Sequence, residues 1–277
     1  MDPDLTAPSR YRFTDYSIDT RFADQVYGGT TADFMIRMPS TLRNVIRIAL
    51  TSVEIPLVEY TFSVARGNVT FKVGGVDKTI PEGNYTGTEL AAAVSTAEGT
   101  PGFCTYDGIT NRFTVSVVVP GPGTEYTWTS SNTAIAARNK DWGLGFNLGF
   151  PKTVVTGGTA ANSPSLGPAT YYLLQLQCPD MMDNTVHRTS EGGSVQAFAK
   201  VVLRSGVYKV QFDDGANLLR KENTFAQPTS IAAIRVRLVD AYGCTVDMGE
   251  TDWSMTFEVM EVVSSVVYGE LNRAYGR

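Results

Sequence analysis

SIAAIRVRLVDAYGCTVDMG, residues 230–249, decides the fold class. Ile234, Val236 and Leu238 alternate with Arg235, Arg237 and Val239. Successive side chains of a strand point to opposite faces, so this stretch puts a continuous apolar row on one side. Ala241-Tyr242-Gly243 interrupts the row, and the chain returns through Cys244 and Val246, which makes the segment a hairpin.

The same texture extends in both directions. TLRNVIRIALTSVEIPL (residues 41–57) mixes alternation with a continuous apolar run, the pattern of a deeply buried strand. Pro56 ends it, because proline has no amide to donate to a ladder. TFSVARGNVTFKV (61–73) reads as two short strands about Arg66-Gly67-Asn68. FCTYD (103–107) and NRFTVSVVV (111–119) form a hairpin about Gly108, and EYTWTSS (125–131) follows. YYLLQLQCP (171–179), QAFAKVVLRS (196–205), VYKVQFDD (207–214) and WSMTFEVMEVVSSVV (253–267) continue the series. IPEGNYTGTELAAAVSTA (80–97) is the exception. Thr86 or Thr88 can cap a helix there, Glu89 sits in its first turn, and Ala91, Ala92 and Ala93 favour it. TAIAARNKDWGL (133–144) has short helical potential.

Many short strands with frequent turns predict an all-β, mainly antiparallel fold: a jelly-roll β-sandwich with one or two short helices and an N-terminal arm. The expected division is an arm over 1–40, a sandwich over 41–267 with a long loop at 151–169, and a tail over 268–277. In the arm, Asp15, Asp19 and Gly28-Gly29 argue against a long helix. Its aromatics, Tyr11, Phe13, Tyr16, Phe22, Tyr27 and Phe34, either dock into a partner or pack on their own sandwich. Deleting residues 1–40 is expected to leave the sandwich folded and to weaken assembly.

Composition narrows the function. The 277 residues carry a net charge of −5, which gives no electrostatic footprint for nucleic acid. Basic residues are scattered apart from a loose set at Arg10, Arg12, Arg21, Arg37, Arg43 and Arg47. Charged residues make up 18 %, below the roughly 25 % usual in soluble domains, which suits a surface hidden in an assembly and equally an ordinary extracellular β-protein. No apolar run reaches the roughly 20 residues of a membrane span, and the N-terminus lacks a signal-peptide core. The expectation is an unsecreted, soluble chain. Cys104, Cys178 and Cys244 are too few and too separated for a disulfide framework. Three buried thiols, or one disulfide between two of them, both fit.

Four segments carry a resemblance: SVEIPLVEYTFS (52–63) with NVTFKV after it, IPEGNYTGTEL (80–90), WGLGFNLGF (142–150), and IRVRLVDAYGCTVDMGETDWSMTFEV (234–259). Their order resembles minor capsid and penton-type proteins of the nucleocytoplasmic large DNA viruses, including those infecting algae and amoebae, over about residues 42–260. The resemblance implies a non-enzymatic jelly-roll subunit of an icosahedral shell, a vertex penton or a cement protein beneath the major capsid layer. The implied partners are the major capsid protein, other minor capsid proteins and copies of itself, as a pentamer if a penton. The implied location is the virion, assembled in the host cytoplasm. The chain is shorter than double jelly-roll major capsid proteins, which argues against that identity.

No residue set demands catalysis, a metal or a cofactor. His187 is the single histidine and sits in MMDNTVHRTSEGG, which reads as a loop. Asp240, Asp247, Glu250 and Asp252 could offer oxygens to calcium, but the spacing departs from an EF-hand loop, and a hairpin with solvated acids explains them. Asp213-Asp214-Gly215 reads as a turn. GLGFNLGF lacks the nucleotide-loop spacing, so Gly143, Gly145 and Gly149 are expected to permit tight turns between packed aromatics. The competing function is a carbohydrate-binding or adhesin-like sandwich. Exposed Trp128, Trp142 and Trp253 would favour it, and burial of Trp142 and Trp253 would oppose it.

Overall fold

The computed structural model describes residues 11–116, 125–153, 155–178, 185–188, 193–213, 221–263 and residue 273. The chain opens with β1 (Tyr11–Asp19), a 3-10 turn (Thr20–Phe22), β2 (Gln25–Val26) and β3 (Asp33–Pro56). Then come β4 (Thr70–Val73), β5 (Val76–Thr79), α1 (Gly87–Glu98), β6 (Cys104–Asp107), β7 (Arg112–Val115) and β8 (Tyr126–Thr127). Two five-residue helices, α2 (Thr133–Ala137) and α3 (Leu144–Leu148), precede β9 (Gly158–Thr159). The last strands are β10 (Tyr171–Gln177), β11 (Thr185–Arg188), β12 (Ser194–Ala197), β13 (Ala199–Val202), β14 (Val210–Asp213), β15 (Lys221–Val239) and β16 (Ser254–Val262). The fold is all-β, antiparallel and jelly-roll-like, as the alternation predicts.

The chain divides into two compact units, one from Met1–Glu59 with Ala169–Arg277 and the other from Tyr60–Pro168. The stretch 41–267, expected as one sandwich, is shared between these two units. The chain leaves the first unit after β3 and returns at β10, and each unit closes its own core.

In the first unit the main sheet runs β1-β16-β3-β15-β10-β13, with β14 and β2 also on β3. β3 is 24 residues long and pairs with β15 and β16 through shifts of register. Each shift is a bulge or irregularity that bends the strands, so the sheet curls around its inner face. That face buries Phe34, Leu42, Val45, Ile48, Val53 and Ile55 from β3 and Met255, Phe257 and Val259 from β16. Ile234, Val236 and Leu238 of β15 join them, as their alternation requires.

The arm expected over 1–40 is strand from its first described residues. β1 pairs with β16 in unbroken register from Tyr11↔Val262 to Asp19↔Ser254. Ile18 is buried, and β3 begins at Asp33, so a boundary at 40 cuts a continuous strand. The cause is a partner some 240 residues away in sequence. At the outer strand, Arg12 donates to the buried carboxylate of Glu261 at 2.9 and 2.7 Å. The tail over 268–277 lies outside the described residues except for Arg273.

The second unit packs α1 against β5 and β6, with two three-stranded sheets, β5-β4-β8 and β6-β7-β9. Thr86 and Glu89 form a reciprocal capping box at the start of α1, and Gly99 ends it in the left-handed conformation. Trp128 lies stacked between Phe71 at 5.1 Å and Phe150 at 5.6 Å. Gly145 is required there, because an added Cβ would stand 2.5 Å from Trp128 Cβ. Among the described residues of 151–169, Gly158–Thr159 form β9 and Val155 makes an isolated antiparallel bridge to Tyr126.

Candidate assembly surface

Large exposed apolar side chains cost free energy unless a partner covers them, so their placement marks candidate contacts. In the first unit several of them stand at or beside the two outer strands of one four-strand stretch, while Val186 and Val263 are exposed elsewhere. Register aligns Phe212 of β14 with Glu54 of β3, Ser254 of β16 and Asp19 of β1. At one border, Val210 and Phe212 are 56 % and 59 % exposed on the same face, with Tyr208 exposed just before them. Gln211 between them turns inward, and its Oε1 accepts from the amides of Arg204 and Ser205 at 2.8 and 3.1 Å. At the other border, Phe13 is exposed on β1, and Phe22 and Val26 are exposed just after it. Among the described strands β1 pairs only with β16, and β14 only with β3.

Between these borders the outer face is polar. Glu54 accepts from the Ser52 hydroxyl at 3.3 Å and from the Ser254 hydroxyl. Arg47 donates to Glu222 at 3.2 Å and Glu258 at 2.5 Å and lies over the Phe13 ring. Arg21 is paired with Asp19, whose carboxyl it holds below its usual range by direct hydrogen bonding. The loose N-terminal set of arginines is thus met by carboxylates at Arg12, Arg21, Arg37 and Arg47.

The six aromatics of the N-terminal segment separate. Phe34 is fully buried, edge-on to Trp253 at 5.7 Å, and belongs to the core. Tyr16 packs against the same core. Tyr27 lies beneath the Arg235 guanidinium at 4.2 Å, and Asp33 anchors that guanidinium through two hydrogen bonds of 2.8 Å. Tyr11 is half-buried at the start of β1. Phe13 and Phe22 are left facing solvent. The Tyr208, Val210 and Phe212 stripe was not singled out in the sequence. Its alternation is visible there, but which face is covered depends on the register with β3.

The chemical candidates resolve locally. His187 is on strand β11 rather than in a loop, and its Nε2 is 2.8 Å from the Tyr171 hydroxyl. Burial raises the Tyr171 hydroxyl pKa, and Asp240 adds to the shift. The Asp240 carboxylate accepts from the amides of Tyr242 and Cys244, and Asp247 from that of Gly249, so both serve their own turns. Asp252 accepts from the Thr20 hydroxyl. Among the described residues no group of three or more His, Cys, Asp or Glu side chains could hold a metal ion. Asp214 and Gly215 lie outside the described residues.

Cys104 is a free thiol. Only Cys104 is fully buried, whereas Cys178 is half-buried and Cys244 exposed, which corrects the expectation of three buried thiols. Trp128, Trp142 and Trp253 are all buried, so none offers a face for a sugar ring to stack on.

No protein-family model matches the sequence, and no curated protein matches it significantly. A solved structure, that of the selenomethionine-labelled mavirus penton protein, aligns over 90 % of this chain and 99 % of its own. The TM-score is 0.39 and the identity 11 %, values at which the likeness carries no argument. No helix among the described residues is long and apolar enough to cross a membrane.

Proposed function

We propose that this chain is a structural subunit of an icosahedral virus capsid, a penton or minor cement protein that acts through protein–protein contacts and has no catalytic role. Its partners are the major capsid protein, other minor capsid proteins and further copies of itself, in a virion assembled in the host cytoplasm. The observation that carries the reading is the exposure of Phe13 and Phe22 at one border of the sheet and of Val210 and Phe212 at the other. A polar face with apolar borders on both sides suits a subunit with neighbours on both sides. The resemblance of the four sequence segments points the same way. Of the six N-terminal aromatics, Phe13 and Phe22 are the ones available to dock. The carbohydrate-binding alternative loses its main support with the burial of all three tryptophans.

Light scattering of the full chain over a range of concentration and salt, paired with a glycan array, tests this reading. Closed species of uniform mass and a blank array are the expected result. A strict monomer that binds defined glycans would overturn it.

A further inference from the structure

Within the first unit, the short hairpin of β11 and β12 stands apart from the main sheet. Among the described strands these two pair only with each other, from Thr185↔Ala197 to Arg188↔Ser194. Alternation gives the hairpin two faces. Val186 and Gln196 are exposed on one, and His187, Val195 and Ala197 share the other. This second face lies over the outer side of β10 and β15. There Leu173 and Val239, paired in register, form a small cluster with Ala197, and all three are fully buried. Val195 packs against the same cluster and against Gly243, where an added Cβ would stand 3.0 Å from its Cγ2. The main core is on the opposite side of the sheet and holds Leu174, Leu176 and Leu238.

Two side-chain hydrogen bonds fasten the hairpin to β10. The Tyr171 hydroxyl meets His187 Nε2 at 2.8 Å, with the two rings edge to face at 5.3 Å. Gln175 Nε2 donates to the Gln196 carbonyl at 2.7 Å. Tyr171 is also held by β13, whose Lys200 ammonium lies 3.9 Å from its ring centroid. The chain is pinned again directly after β12. The Phe198 amide donates to the Leu174 carbonyl at 2.8 Å, and the Phe198 ring is buried in the main core, edge-on to Phe257. The lightly held and the firmly held segments therefore meet between Ala197 and Phe198. An isolated two-stranded hairpin is marginal in water. This one adds a small apolar contact from Val195 and Ala197. Elements with so little buried surface open locally at far lower cost than the core.

We infer that the β11–β12 hairpin is a flap, latched by Tyr171 and His187, that lifts as a unit while the main sheet stays folded. Lifting uncovers Leu173 and Val239, so the closed flap hides an apolar patch of the outer face. The main sheet loses no ladder in the process, because β10 keeps β13 on one side and β15 on the other. The inference rests on the hairpin's own contacts and does not depend on the capsid reading.

Amide hydrogen exchange of the full chain, resolved by peptide mass spectrometry, tests this. In the wild type the amides of 186–188 and 195–197 should exchange together, about tenfold or more faster than those of β3 and β16, with protection returning at Phe198. Tyr171→Phe removes only the latching hydroxyl and should speed exchange of the hairpin by about threefold to tenfold. Phe34→Leu, a mild change in the main core, should speed β3 and β16 and leave the hairpin at its wild-type rate, because lifting the flap does not break that core. A hairpin that exchanges only as fast as β3 and β16 overturns the inference. So does a Tyr171→Phe chain whose hairpin keeps the wild-type rate, or a Phe34→Leu chain in which the hairpin speeds up as much as β3.

Discussion

A chain shortened to begin at residue 41 is expected not to fold its first unit. The deletion removes all of β1, and with it the nine-residue ladder on β16. It removes Ile18 and Phe34, which are 2 % and 0 % exposed. Losing buried side chains of these sizes costs about 2–5 kcal/mol for the isoleucine and about 3–5 kcal/mol for the phenylalanine. It also removes the Thr31 carbonyl, which accepts from the buried Trp253 indole nitrogen at 2.9 Å. An orphaned buried donor costs about 1–3 kcal/mol more. A domain of this kind has about 5–15 kcal/mol in all, so these losses together rival the whole. Urea denaturation followed by tryptophan fluorescence and far-ultraviolet dichroism measures the outcome. Phe34→Ala, a milder change, should keep the cooperative transition and lower its midpoint. A truncated chain that unfolds cooperatively near the full-length midpoint would refute the argument and restore the view of residues 1–40 as a detachable arm.

Other measurements probe the second unit and the cysteines. Gly149→Ala should destabilise the second unit by about 1–3 kcal/mol or more, because Gly149 has φ +85° and an added Cβ would stand 2.2 Å from the Asn162 carbonyl oxygen; a thermal midpoint equal to wild type would contradict this. The capping hydrogen bonds from Thr86 hold the Glu89 carboxyl below its usual range. A depressed folded-state pKa means a contribution that is complete above the unfolded value of about 4.3 and lost as pH falls through the folded value. Glu89→Gln should therefore flatten the loss of thermal stability below about pH 4, and parallel wild-type and variant curves would count against the capping box. Burial pushes the Cys104 thiol up to about 12. Thiol labelling should therefore reach Cys244 first and Cys104 only on unfolding, and early labelling of Cys104 would show that its site is open.

The fold class is legible in the sequence because alternation is a local property. Ile234, Val236 and Leu238 declare their face within five residues, and the structure buries all three. The capping box on α1 is equally local: Thr86 and Glu89 are three apart. What is not legible depends on distant partners. β1 is an ordinary strand only because β16 lies beside it, and its Asp15, Ser17 and Asp19 face away from the core that holds Ile18. Phe13 and Phe34 look alike in sequence, yet one is exposed and the other buried, because register alone assigns their faces. The boundary between the units leaves no mark in composition, since both halves alternate in the same way. His187 lies on a strand of only four residues, too short for its alternation to stand out within MMDNTVHRTSEGG.

The most direct test of the capsid reading is the composition of purified virus particles from the source of this chain, after density-gradient separation and quantitative peptide mass spectrometry. The prediction is that peptides of this protein band with the particles at a fixed ratio to the major capsid protein and stay there through washing at high salt. Its absence from the particle band, with the protein recovered only in soluble or cell-surface fractions, would contradict a structural role in the shell.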